Sequence, residues 1–325
     1  MHAPGNGPVF AIYYTILAVF GVPANLVTIV ILSKGKCGLS KCITLYLVFM
    51  AVADFLVIVT VVILSRLRAI YFPASFFSTT PGCTLILVLS WVSKDTSVWL
   101  TVAFAFDRFT AICGLKLRLR YCTEKTAAVV IGIVFMLVCF KNIPSFFPLE
   151  PMYVTDNVPW YCVIKSSYYT SVAWRIYDWQ RPVLNPCVPF LLILLLNMLT
   201  VRHILAASRA RRRLRCQSNG ENKCDPEMES RRKSIVLLMV ISGCFILLRL
   251  IYLVNFLRVQ ITGNTYASGV NSNDPKFILQ ESGHMLELLG SCINSCVYAA
   301  TQTRFRGQLT FAVKYPINLI KKMFN

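Results

Sequence analysis

Cys83-Thr-Leu-Ile-Leu-Val-Leu-Ser-Trp-Val-Ser-Lys-Asp-Thr-Ser-Val-Trp-Leu-Thr-Val-Ala-Phe-Ala-Phe-Asp107-Arg108-Phe109 is the stretch on which the reading of this chain turns. It is mostly apolar and ends on an acid and a base side by side. An arginine at the centre of a hydrocarbon layer costs roughly 2.5–3.5 kcal/mol on insertion scales. An Asp-Arg pair closing such a run therefore belongs at the inner end of a membrane helix, where it suits a switch facing the cytoplasm.

The rest of the chain agrees. Of 325 residues, 56% are hydrophobic and only 14% charged, with a mean hydropathy of +0.61; soluble domains are nearer about 45–50% apolar. Windows of ~20 residues, enough to cross the ~30 Å hydrocarbon core, find seven spans, at 10–32, 44–64, 83–112, 127–148, 183–205, 234–257 and 277–300. The third would be ~45 Å long as a helix, so it must tilt or project beyond the bilayer. The expected fold is an all-α membrane protein: a seven-transmembrane helix bundle over 10–300, with 1–9 outside and 301–325 forming a short amphipathic helix and tail. No positively charged segment precedes the first span, which is therefore expected to act as the insertion signal itself.

The net charge of +19 would point to nucleic acid in a soluble protein, but its distribution gives another answer. Loops after odd-numbered spans, plus the tail, hold 22 of the 33 Lys and Arg; the opposite side holds seven. By the positive-inside rule the N-terminus is extracellular and the C-terminus cytoplasmic in a multi-pass plasma-membrane protein. The basic loops then serve topology and attraction to anionic membrane lipids, with no nucleic acid as partner. Of thirteen cysteines, most fall in helices or cytoplasmic loops, where thiols stay reduced. Cys83 and Cys162 fall on the outer side and are the natural disulfide pair. The odd count leaves at least one cysteine unpaired, and no Asn-x-Ser/Thr sequon occurs. The three histidines are scattered without metal spacing. With no nucleophile–base–acid set either, the chain does not read as an enzyme. No internal repeat supports a transporter, which stays the weaker alternative.

Residues 149–182 form the longest outer loop and are rich in aromatics, either a lid over an extracellular pocket or an interfacial belt. Near the end of the chain, Phe305, Leu309 and Phe311 fall near one face beside Arg304 and Arg306, the pattern of a helix lying on the inner leaflet.

Polar groups inside a bundle face inward. Asn25, Asp54, Ser97, Ser291 and Asn294 form one set: an ionised Asp54 among hydroxyl and amide oxygens suits a Na⁺ ion, and a water-filled hydrogen-bond network is the plain alternative. No other cofactor is expected. A second set lies higher. Lys94 stands close to four turns above Arg108 on the same face, while Asp95 points away. Arg249 and Tyr252 are a turn apart on the sixth span, as are His284 and Glu287 on the seventh. Unpaired, these charges would be expensive. Ser90, Trp91, Lys94, Arg249, Tyr252, His284 and Glu287 are therefore expected to line a pocket. Lys94 or Arg249 would hold an anionic or zwitterionic ligand such as an aromatic amino acid or a peptide terminus, with Trp91 beneath its ring. The alternative is an internal salt-bridge network.

Six motifs in order carry a family resemblance: Gly21-Val-Pro-Ala-Asn25-Leu-Val, Ala51-Val-Ala-Asp54, Cys83 placed 25 residues before Arg108, Asp107-Arg108-Phe109 for Asp-Arg-Tyr, Pro189, and Asn294-Ser-Cys-Val-Tyr298 for Asn-Pro-x-x-Tyr. Over residues 10–311 the chain resembles a rhodopsin-like G-protein-coupled receptor. Through residues 21–33, Thr96-Ser-Val-Trp-Leu-Thr-Val102, and Val188-Pro189 with Asn197 eight residues later, it looks closest to the group of probable G-protein coupled receptors 139 and 142, which is similar to invertebrate neuropeptide receptors. The resemblance implies that Arg108 pairs with Asp107 at rest and meets Asn197 and Tyr298 when the sixth helix opens, admitting a helix of a heterotrimeric G protein. Asp107, Arg108, Phe109, Asn197, Asn294 and Tyr298 are the implied switch; a static acid–base pair is the alternative. The chain also departs from the family. Cys244-Phe-Ile-Leu stands for Cys-Trp-x-Pro, so a straighter sixth helix is expected. Ser295 replaces a proline, and the fourth span lacks its tryptophan. A receptor-like protein with weak or no G-protein coupling is the alternative these departures leave open.

Overall fold

The computed structural model describes residues 8–35, 37–113, 121–215, 226–262 and 274–312, with the side chains at 169, 182, 207–208, 210–215, 226–234 and 260–262 outside the description. Seven long helices carry the fold: α1 (Pro8–Ser33), α2 (Lys41–Val57), α3 (Thr80–Cys113), α4 (Glu124–Asn142), α5 (Val188–Arg215), α6 (Pro226–Thr262) and α7 (Pro275–Thr301). An eighth, α8, covers 303–312. α2 continues through a π-helical stretch, Ile58–Leu67, and a last turn, Arg68–Tyr71.

The helices are apolar on the outside and polar within, the reverse of a soluble bundle. Val9, Phe20, Leu137, Phe140, Leu191 and Leu247 are exposed, while Asn25, Asp54, Ser97, Asp107 and Arg108 are buried. With lipid as solvent, that is the arrangement of lowest cost. Among the described residues six helices are long and apolar enough to cross a membrane. α7 falls outside that set; it carries Lys276, Glu281, His284, Glu287 and Asn294, and both glutamates are buried. Bundle packing thus makes a membrane helix of a segment whose composition alone is ambiguous.

Local signals set several helix ends. Ser40 and Thr123 accept from backbone amides two to three residues into α2 and α4, the usual N-cap bond. Asp274 accepts from Lys276 N with Pro275 in the first turn of α7. Between α1 and α2, Gly38 lies at φ +70° beside the Arg304 guanidinium. That left-handed backbone favours glycine. α8 docks nearby: Phe305 is buried and meets Tyr298 edge-on at 6.2 Å, whereas Phe311 is exposed.

The outer loop holds short strands, which an all-helical reading did not include. β1 (Leu149–Glu150) pairs antiparallel with β4 (Val163–Ile164), and β2 (Tyr153–Thr155) with β3 (Val158–Trp160). Asp156 and Asn157 at the hairpin tip have φ 52° and 59°, the left-handed pair that a two-residue hairpin turn needs and that Asp and Asn tolerate. The Cys83–Cys162 disulfide anchors this hairpin to the top of α3. Tyr161 N also donates to Ser78 O at 2.7 Å, and Thr80 Oγ1 to Tyr161 O at 2.6 Å. The loop continues as the helices Ser166–Thr170 and Val172–Pro182. Asn185, at φ −158° and ψ 94°, then breaks the helical path beside Pro186, before α5 begins.

Glycines let helices approach closely. A Cβ at Gly21 on α1 would meet Cys292 Sγ at 2.7 Å and Ile58 Cγ1 at 3.2 Å, so α1, α2 and α7 converge there. A Cβ at Gly283 would sit 3.1 Å from the Tyr252 Cα and 3.2 Å from its amide nitrogen. Backbone cannot yield as a flexible side chain can, so α6 and α7 meet through a small residue. Gly283→Val is expected to lower stability by roughly 1–3 kcal/mol, the range for overpacking. Gly132→Val, where nothing lies within 4 Å of the added carbon, should be near neutral. Thermal unfolding of the two purified variants checks this.

Candidate functional site

Three polar clusters occupy the bundle axis, one above another. The lowest is at the inner end of α3. Arg108 Nε donates to Asp107 Oδ2 at 2.9 Å, and Arg108 NH2 makes a second contact to the same oxygen. The other oxygen, Oδ1, accepts from Cys42 Sγ at 3.2 Å. The guanidinium lies 5.9 Å from the Phe104 ring centre, and both members of the pair are about nine-tenths or more buried, at 6% and 5% exposed. A charge pair this deep persists because each charge satisfies the other. Asn197 Oδ1 on α5 and the Tyr298 hydroxyl on α7 are buried without a hydrogen-bond partner. Neither is bonded to Arg108 in this arrangement, and Phe109 beside it is half-buried. Of the basic stretches Arg209–Arg215 and Arg231–Lys233 in the loop after the fifth span, only the Arg209 side chain falls among those described, and it is exposed.

The middle cluster centres on Asp54, which is 1% exposed. Ser97 Oγ donates to Oδ1 at 2.6 Å and Asn294 Nδ2 to Oδ2 at 2.6 Å, which ties α2 to α3 and α7. Asn25 Nδ2 donates to the carbonyls of Gly21 and Ser291, at 3.0 Å each, and so binds α1 to α7 instead of reaching Asp54. Thr28 Oγ1 meets Ser295 Oγ at 2.9 Å, so the residue standing where the family carries proline contributes an inter-helix contact. A cavity of about 30 Å³ is enclosed by Asp54, Ser97, Thr101, Ser291 and Asn294, and Arg249 and Glu287 form its upper wall.

The outer cluster is the largest. A cavity of about 400 Å³ is lined by Trp91, Lys94, Tyr252, His284 and Glu287 among the residues expected there. Ser90 is not part of its wall; its hydroxyl donates to Ile86 O at 2.7 Å within α3. Arg249 belongs to the lower cavity instead. Glu287 gathers two cations, Lys94 Nζ at 3.1 Å and Arg249 NH1 at 3.0 Å, and lies 3.8 Å from His284 Nδ1. His284 also packs on Tyr252, ring centres 5.3 Å apart. Asp95, expected to point away, lines the same cavity. It accepts from Lys141 Nζ at 2.7 Å, Asn142 Nδ2 at 2.9 Å and Asn185 Nδ2 at 2.6 Å. Asn185 Oδ1 in turn accepts from Arg249 NH1 at 3.4 Å. A continuous chain therefore runs Lys141–Asp95–Asn185–Arg249–Glu287–Lys94, touching α3, α4, α6, α7 and the kink before α5. The Trp91 ring is covered by this chain's own Arg181, whose guanidinium carbon is 3.5 Å from the ring centre. Arg181 NH2 also donates to Ser145 Oγ at 3.2 Å. Above it, Tyr168 donates to Asp178 at 2.9 Å, and burial together with that carboxylate pushes the Tyr168 hydroxyl above its ordinary pKa.

Sequence reasoning left out Asp95, Lys141, Asn142, Asn185 and Arg181. Lys141 was detectable as a charge inside an apolar span. The role of Asn185 depends on a local break in the helix that no periodicity reveals.

Removing a shared counter-ion exposes the cost of buried charge. Glu287→Ala leaves Lys94 and Arg249 without their carboxylate and is expected to destabilise by about 3–5 kcal/mol. Glu287→Gln, which keeps the oxygen acceptor and the shape, should cost less. Thermal unfolding of the purified protein with each variant reads the difference.

Comparison with known proteins supports the same assignment. The profile of the 7 transmembrane receptor (rhodopsin family) matches residues 24–298. The FMRFamide receptor of Drosophila melanogaster is 27% identical over 226 residues, covering 63% of this chain and 39% of that receptor. Neuropeptide receptor 18 of Caenorhabditis elegans is 26% identical over 138 residues, covering 41% of this chain and 28% of that protein. The alignments therefore span well under half the length of these curated relatives. Seven helices with polar groups turned inward, an Asp-Arg pair closing α3 and a disulfide-anchored outer hairpin together with this match place the chain, a multi-pass membrane protein and not an enzyme, in the rhodopsin family of seven-transmembrane receptors.

Proposed function

We propose that this protein is a plasma-membrane receptor for an extracellular peptide, transmitting its signal to heterotrimeric G proteins through Arg108. The N-terminus is outside and the C-terminus in the cytoplasm, in keeping with the excess of Lys and Arg after odd-numbered helices. The observation that carries the signalling half is the inner polar arrangement. Arg108 is held by Asp107, while Asn197 Oδ1 and the Tyr298 hydroxyl stay buried and unbonded. Unmet polar groups in a bundle interior are costly. A shift of α6 that brings the planar guanidinium to them satisfies both and opens an inner groove for a partner helix. α6 runs as one 37-residue helix through Cys244-Phe-Ile-Leu, so this motion is a rigid tilt instead of a bend at proline.

The peptide half rests on the relatives, one a receptor for FMRFamide and one a neuropeptide receptor by name, and on a 400 Å³ outer cavity large enough for a peptide end. Because Lys94 and Arg249 are occupied by Glu287, an anionic ligand group would be held by Arg181, whose guanidinium already stands on Trp91. A free aromatic amino acid is the second reading. The aromatic wall of Trp91, Trp179 and Tyr252 supports it.

The test is nucleotide exchange on purified G-protein heterotrimers of each subtype, with the receptor in lipid nanodiscs. Amidated peptides, free-acid peptides and aromatic amino acids are supplied in turn. Ligand-driven exchange is expected, with Asn197→Ala and Tyr298→Phe each lowering the exchange rate about tenfold at unchanged ligand affinity, equal to about 1.4 kcal/mol. Saturable ligand binding without exchange on any heterotrimer would overturn the coupling and favour a receptor-like protein without G-protein output. Arg181→Ala is expected to weaken carboxylate-bearing ligands selectively; equal loss for amidated and free-acid peptides sinks its role as an anion anchor.

A further inference from the structure

We propose that Arg249 is the built-in counter-ion of the Asp54 cavity, so that this receptor needs no sodium ion there. By oxygen chemistry alone the site looks suited to sodium: a carboxylate with hydroxyls from Ser97, Thr101 and Ser291 suits a hard cation. The charges around it argue the other way. Arg249 lines the same cavity as Asp54 and is 8% exposed. Its NH1 donates to Glu287 at 3.0 Å and to Asn185 at 3.4 Å.

The formal charges of the enclosed cluster balance without an added ion. Asp54, Glu287 and Arg249 in the cavity wall sum to one negative charge, and Lys94, ion-paired to Glu287 from the outer cavity, supplies the second positive charge. A sodium ion placed beside Asp54 would leave the cluster with one excess positive charge, buried and next to a guanidinium, where like charges are poorly screened. Asp54 is also already served. Each of its oxygens accepts a bond at 2.6 Å, from Ser97 and from Asn294, and the remaining space is about 30 Å³, room for about one or two water-sized molecules. The residues present thus fit a covalently attached cation better than a mobile one. A tethered cation differs from an ion in one respect that matters for signalling: it moves with α6, so displacement of that helix alters the charge balance at Asp54 without any ion entering or leaving.

This reading stands apart from peptide binding and G-protein coupling, because its readout is stability. The purified receptor is unfolded thermally across a range of NaCl and, at matched ionic strength, of choline chloride. The wild-type midpoint should be the same in both salts. Arg249→Gln removes the internal cation and should create a sodium-specific rise of about 2–4 °C, which a further Asp54→Asn change abolishes. Arg249→Lys keeps the charge and should stay indifferent to sodium. A saturable, sodium-specific stabilisation of the wild type that Asp54→Asn removes would overturn the proposal. So would an Arg249→Gln protein that folds yet remains indifferent to sodium. Should Arg249→Gln not fold, equilibrium binding of radioactive sodium to the wild-type protein decides the matter. Asp54-dependent binding refutes the tethered cation, and none supports it.

Discussion

A membrane interior makes every unpaired charge expensive, and this protein holds an unusual number of charges inside its bundle. That constraint organises the rest. Glu287 satisfies Lys94 and Arg249 together, Asp95 satisfies Lys141, and Asn185 joins the two groups through hydrogen bonds to Asp95 and Arg249. Each link crosses from one helix to another, so the helices cannot separate without stranding a charge in low dielectric. Close packing at Gly283, where α6 and α7 touch through backbone, keeps Arg249 and Glu287 within reach of each other.

The same constraint suits the switch proposed for the bundle. Charges that must stay paired can exchange partners, but they cannot be left alone. At the inner end Arg108 is paired with Asp107, while two buried polar atoms, Asn197 Oδ1 and the Tyr298 hydroxyl, have no hydrogen-bond partner. Higher up, Arg249 touches α7 and the segment before α5, and shares a cavity with Asp54 of α2. α6 thus carries the cation on which several helices depend, and its movement is felt at the outer cavity and at Asp54 together. Loss of the family's tryptophan and proline from this helix is accompanied here by an arginine one turn further along, which supplies an electrostatic hold on α6.

The outer hairpin shows local and distant forces acting together. Asp156-Asn157 suits a tight turn on its own chemistry. What the hairpin covers is decided by the disulfide and by the hydrogen bonds that tie Tyr161 and Thr80 across the top of α3. The loop reaches the cavity through Leu149, Cys162 and Ile164, and its following helix brings Arg181 onto Trp91.

Much was legible in the chain alone, because the bilayer reads sequence almost directly. Apolar length gives the spans, basic loops suggest the orientation, and the rarity of buried charge picks out Asp54, Lys94, Arg108, Arg249 and Glu287 as inward-facing. The seventh helix was legible despite its charges: Glu287 and Ser291 were both read as inward-facing, and both are buried. Partner choice was not legible. Helical periodicity sent Asp95 away from the interior, yet α4 supplies Lys141 and Asn142 on that side and makes it another part of the interior. A broken turn at Asn185 carries its amide between two helices. Spacing along one helix says which way a side chain points; which oppositely charged group waits there depends on how seven helices pack, and only tertiary structure decides that.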